Sequence, residues 1–174
     1  MKKDGKNNII KYILFGILFS LTALSFSYSA VENTQISGQE FKGQIEINAS
    51  PEKVWSVLTN LKTFTDAIGF EFLSGKTNVS TVGDTARIKV WSDNTTYLLT
   101  YVDVNKELRF ALEPDNASYI CQKKWILKPS GNKTILTLVD IYTESSKQSQ
   151  ESLNQQSADW EKKLSKIKAL AEAS

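Results

Sequence analysis

The chain has 174 residues, 41% hydrophobic, 10% aromatic and 23% charged, with a formal net charge of +2. That composition describes one globular domain with a short appendage and excludes a disordered chain. There is no histidine and only one cysteine, Cys121, which excludes Ser-His-Asp and Cys-His catalysis, imidazole zinc sites and any intrachain disulfide.

The first 11 residues carry Lys2, Lys3, Lys6 and Lys11 against Asp4, and residues 12–24 are an apolar run. Small residues follow at Ser27 and Ser29. These are the three parts of a secretory signal, with cleavage expected after Ser29. The expected division is a signal peptide at residues 1–29, a flexible leader at 30–38 and one domain at 39–174. The alternative is an anchor kept in the membrane by residues 12–31, for which the apolar run is short. Cleavage would remove four of the 21 Lys/Arg and one of the 19 Asp/Glu, leaving a net charge of −1. The basicity belongs to the signal, so nucleic acid is not an expected partner. The expected location is periplasmic or secreted.

The mature chain opens with a strand over residues 41–47, placing Phe41, Gly43, Ile45 and Ile47 on one face. Ser50 and Pro51 then mark a helix start, with Ser50 as N-cap and Pro51 at the first helical position. Val54, Trp55 and Leu58 form its buried stripe. Asn60 breaks that helix, and a second short one is expected over 61–67. Beyond Gly69 the pattern takes period two. Strands are expected at 71–74, 85–91, 96–104, 108–113, 118–128 and 134–143, joined by short turns in an antiparallel meander. From residue 145 onward, Leu153, Trp160, Leu164, Ile167 and Leu170 mark one stripe of a long amphipathic helix. Lys162, Lys163, Lys166 and Lys168 near its end read first as a solvated face and second as a patch for transient membrane contact.

The stretch Ile45-Glu-Ile-Asn-Ala-Ser-Pro-Glu-Lys-Val-Trp-Ser-Val-Leu58 combines a strand, Ala-x-Pro and a helix carrying Val-Trp. Trp125-Ile-Leu-Lys-Pro129 followed by Gly131-Asn-Lys-Thr134 forms a second, less specific signature. Together they resemble the START/Bet v 1-like superfamily, whose bacterial members include polyketide cyclase/dehydrase and lipid-transport proteins. The resemblance covers about residues 39–170. It departs at residues 63–69, where relatives often carry Tyr-Pro and Trp. It implies an α+β helix-grip fold: a curved antiparallel sheet of about seven strands on a long C-terminal helix, with two short helices after the first strand. It also implies a ligand space between the sheet and that helix.

Alternation along the strands supplies the candidates for the cavity wall: Ile47, Val90, Phe110, Tyr119, Lys123, Trp125 and Asp140, joined by Trp160 and Leu164 from the helix. Each apolar candidate is at least as well explained as plain core. Lys123 must share the inner face with Tyr119, Cys121, Trp125 and Leu127. A hairpin centred on 129–132 sets Asp140 diagonally across from it, provided that Leu136 and Leu138 point inward. Ile135, Val139 and Ile141 could equally be the inner set, and an exposed rim pair or a bulge turning Lys123 outward is the plainer reading. Cys121 reads as a buried small hydrophobe with no basic neighbour to activate it.

The leading expectation is an exported binder or carrier of a small hydrophobic molecule, such as a lipid, isoprenoid or polyketide-like compound. No metal, cofactor or catalytic residue is assigned, and the oligomeric state is left open. The alternatives are an interaction module with a filled groove and an enzyme of the aromatase/cyclase type using Asp140, Lys123 or a tyrosine. A cavity well under ~300 Å³ would favour the filled groove.

Overall fold

A computed structural model describes residues 38–116, 119–144 and 150–174. The expected signal at 1–29, most of the leader and the entry to the last helix at 145–149 lie outside these residues. Ten elements follow one another: β1 (Gly38–Ile47), α1 (Pro51–Thr59), α2 (Leu61–Ile68), β2 (Glu71–Gly75), β3 (Thr85–Val90), β4 (Asp93–Asp103), β5 (Glu107–Pro114), β6 (Tyr119–Ser130), β7 (Lys133–Glu144) and α3 (Gln150–Ala173). The strands form one antiparallel sheet in the order β1-β7-β6-β5-β4-β3-β2. The curved sheet, the two short helices and the long C-terminal helix make the α+β helix-grip arrangement expected from the sequence.

Local chemistry explains the element ends. Pro51 occupies the first turn of α1, where its missing N–H costs nothing. The Ser50 side chain does not cap that helix as expected. Its hydroxyl bonds to Glu52 instead, and the Ser50 carbonyl accepts from the amides of Lys53 and Val54 at 3.1 and 3.2 Å. Asn60 ends α1 and begins α2, its side-chain oxygen accepting from the Thr63 amide at 3.3 Å. Gly69, at φ 77°, closes α2 in the left-handed region that glycine tolerates best.

The sheet buries one face, and the alternation is cleanest on β3 and β6. On β6, Tyr119, Cys121, Lys123, Trp125 and Leu127 are buried while Ile120 and Gln122 are exposed. On β7, Thr134, Leu136, Leu138 and Asp140 are buried and Ile141 is exposed. The helix α3 lies against β1, α1 and α2. Its buried stripe is Trp160, Leu164, Ile167 and Ala171, so Leu170 falls off it and is exposed; the side chain of Leu153 lies outside the described set. Gly43 lets α3 settle on β1, because a Cβ there would stand 3.0 Å from Leu164 Cδ1. The α1 stripe is Val54, Val57 and Leu58, with Trp55 only half-buried. Among the described residues no helix is long and apolar enough to cross a membrane.

Two stability predictions arise here. Tyr97 stacks on Phe110 at 4.5 Å, yet its buried hydroxyl has no hydrogen-bond partner among the described residues. Tyr97→Phe is expected to stabilise the fold by about 1 kcal/mol in urea denaturation, since it removes an unsatisfied polar group. Asp84, between β2 and β3, takes hydrogen bonds from Lys76 at 2.7 Å and from the Ser80 and Thr81 amides at 2.8 and 2.9 Å. These bonds, Lys76 first, lower its pKa from 3.8 to about 2. A carboxyl with a depressed folded pKa stabilises above its unfolded value and loses that contribution as pH falls through the folded one. Melting temperature should therefore drop between about pH 4 and 2, and Asp84→Ala should lower it at neutral pH and flatten that acid limb.

Candidate functional site

Between α3 and the β3–β6–β7 part of the sheet lies a cavity of about 270 Å³. Its floor is apolar and aromatic, with Val90, Leu112, Tyr119 and Trp160, and Phe70, Trp91, Gln155 and Gln156 stand at its rim. Four charged residues complete the wall: Lys123, Asp140, Asp159 and Lys163.

Lys123 and Asp140 are direct cross-strand partners in an unbroken β6–β7 register. Their side chains are only 4% and 3% exposed, and Lys123 Nζ lies 2.7 Å from Asp140 Oδ2. The inward reading is therefore the correct one. No bulge turns Lys123 out, and the pair is directly opposed rather than diagonal.

Cys121 and Trp160 complete the cluster. The Cys121 thiol donates to Asp140 Oδ1 at 3.0 Å, and Lys123 Nζ donates to Cys121 Sγ at 3.0 Å. Trp160 Nε1 donates to Asp140 Oδ2 at 3.0 Å, tying α3 to β7. The Lys123 ammonium also stands 4.6 Å from the centre of the Trp160 ring.

The carboxylate and thiol of the cluster are already engaged, which restricts its chemistry. Burial by itself would lower the Lys123 pKa, but the neighbouring Cys121 and Asp140 outweigh it and hold the ammonium charged. Burial pushes the Cys121 thiol up to about 12 despite the lysine beside it. Lys123, two residues along the same face, is a basic neighbour after all, but the thiol is still not a nucleophile at neutral pH. Lys123 has three N–H donors and spends two of them on Cys121 and Asp140. The third can serve a ligand oxygen.

Of the nine sequence candidates, Val90, Tyr119, Lys123, Asp140 and Trp160 line the cavity. The other four, Ile47, Phe110, Trp125 and Leu164, are buried but do not line it. For Phe110 and Trp125 the reason is Phe64 of α2. Its ring meets Phe110 at 5.9 Å and Trp125 at 5.8 Å, edge to face, and fills that end of the groove. Trp91, Phe70 and Lys163 were missed. The sequence put Trp91 inside a strand, but β3 stops at Val90, and Trp91 begins a two-residue hairpin loop with φ 54°. Such loops require positive φ, and a bulky residue held there is a hint of function. Its ring is 67% exposed and meets Tyr119 edge to face at 6.2 Å.

This geometry has counterparts among solved structures. DynU16, a protein of the dynemicin biosynthetic locus, is 17% identical over 76% of this chain, with a TM-score of 0.60. The structure of Ara h 8.0201 is 9% identical over 79% of this chain and 100% of its own, at TM-score 0.60. The domain has the START/Bet v 1-like fold. A Chromobacterium violaceum protein with the same fold matches at TM-score 0.62 and 15% identity, over 76% of this chain and 96% of its own. The chain spans about half of DynU16, 47% of its length. No family model and no curated protein matches the sequence. At these identities the likeness establishes the START/Bet v 1-like fold alone.

Proposed function

We propose that this protein binds a small, mainly apolar molecule in the cavity under α3, and that it is exported to do so. The observation that carries the reading is the cavity itself: about 270 Å³, walled by aromatic and aliphatic side chains, with one buried polar cluster on its floor. Ligand sites commonly combine a largely apolar wall with a few placed polar groups, and this volume lies just below the ~300 Å³ at which their usual range begins. The Lys123–Cys121–Asp140 cluster suits an anchor better than an acid–base pair. Its carboxylate already accepts from Lys123, Cys121 and Trp160, and its thiol is neutral. The export half of the proposal rests on the basic, apolar and small-residue segments of the first 29 residues.

Native mass spectrometry of the purified protein is the direct test of binding. Co-purified apolar mass, or mass added from a panel of fatty acids and isoprenoids, is the expected result. An empty protein that takes up none of them overturns it. Cleavage after Ser29 would appear as a mature N-terminus at Ala30 in secreted or periplasmic material.

A further inference from the structure

The wall of the cavity contains four charged groups, and three of them are accounted for. Asp140 accepts from Cys121, Trp160 and Lys123, which also accounts for Lys123. Asp159 Oδ1 accepts from Gln155 Nε2 at 3.1 Å and lies 3.8 Å from Lys162 Nζ. Lys163 is left. Its ammonium stands 4.6 Å from the Trp160 ring centre and 5.3 Å from that of Phe70. Among the described residues no carboxylate oxygen lies within ion-pair distance of it.

A half-buried cation held between two rings has lost part of its hydration without gaining a directly paired carboxylate. Burial first, and then the nearby charge of Lys123, lower its pKa, and the more distant Asp159 and Asp140 offset only part of that. An adjoining recess of about 290 Å³ shares Phe70, Trp91, Asp159 and Lys163 with the cavity and adds Lys162 and Lys166. The mouth therefore carries more positive charge than its own acids balance, while the floor is neutral overall. The complementary ligand has an anionic end outward and an apolar body inward.

We propose that the ligand is a small apolar molecule bearing one carboxylate, which pairs with the Lys163 ammonium between Phe70 and Trp160 while the apolar body lies against Val90, Leu112 and Tyr119. This rests on the binding function proposed above and names the class of ligand. One ammonium in a niche between two rings matches a single carboxylate, and a charge-assisted hydrogen bond shielded by aromatic walls is stronger than one at an open surface.

The test is a fluorescence titration of the purified protein with octanoate, octanol and octylammonium, read from tryptophan emission, since Trp91 and Trp160 are in the wall. Octanoate is expected to bind about tenfold more tightly than octanol, with octylammonium weakest. Lys163→Met keeps the aliphatic stem on the rings and removes the charge. It should abolish the preference, bringing octanoate to the level of octanol in the same variant, whereas Lys163→Arg and Lys162→Met should keep it. Equal binding of octanoate and octanol by the unaltered protein overturns the carboxylate assignment alone, and so does a preference that survives in Lys163→Met. Failure of all three compounds to bind overturns the binding function and this inference with it.

Discussion

Asp140→Ala is expected to lower the free energy of unfolding by about 3–5 kcal/mol, the usual cost of removing one partner from a buried ion pair. The change strands three donors at once: the Lys123 ammonium, the Cys121 thiol and the Trp160 indole N–H. Lys123 suffers most, because it is buried and, among the described residues, forms no ion pair with another carboxylate. The double change Lys123→Met with Asp140→Leu should recover most of the loss, since replacing a whole buried pair with apolar groups is often neutral. Urea unfolding at neutral pH measures both. The pair also predicts an alkaline limb. Its lysine has a folded pKa raised above the ordinary 10.5, so its contribution is fully present below the unfolded pKa and is lost as pH rises through the folded one. That limb should be absent from the double variant. A cost below about 1 kcal/mol for Asp140→Ala would mean that water reaches the pair and that it behaves as a surface bridge.

The order and type of the elements were legible because their signals are local. Pro51 fixes the start of α1, Asn60 and Gly69 punctuate the helices, and alternation marks strands such as β3 and β6. Register was less legible. The sequence centred the last hairpin on 129–132 because Pro129 looks like turn material. In the structure Pro129 stays in β6 opposite Thr134, near the strand end, and Gly131, at φ 61°, makes a two-residue loop with Asn132. That shift moves Asp140 from the diagonal to a position opposite Lys123.

The mouth of the cavity was hardest to read. Lys163 sits one residue before Leu164 on the edge of the buried stripe, and in the sequence it is one of four lysines on a polar face. Only the approach of Phe70, which follows α2 in the chain some ninety residues earlier, turns it into a cavity residue. The core candidates had the opposite problem. Alternation places Phe110 and Trp125 on the inner face correctly, but it says nothing of Phe64 arriving to cover them.

Trp160→Ala should produce a second large loss, about 3–5 kcal/mol, the range for truncating a large buried aromatic. The side chain is the main bolt between α3 and the sheet. Its ring stacks on Phe41 at 6.4 Å and meets Trp125 edge to face at 6.2 Å. Its N–H bonds Asp140, and two ammonium groups stand 4.6 Å from its centre. Trp160→Phe separates these contributions: it keeps most of the packing and both cation contacts but leaves Asp140 one donor short. It should cost about 1.5–3 kcal/mol, the worth of a hydrogen bond to a charged group. The same two variants read the cavity. Alanine joins the vacated ring volume to the existing space, so a bulkier apolar ligand should gain affinity relative to a small one, whereas phenylalanine should leave that ratio nearly unchanged. If alanine costs no more than phenylalanine, the helix is held by Leu164 and Ile167 instead. The indole is then a wall of the cavity without being the element that closes it.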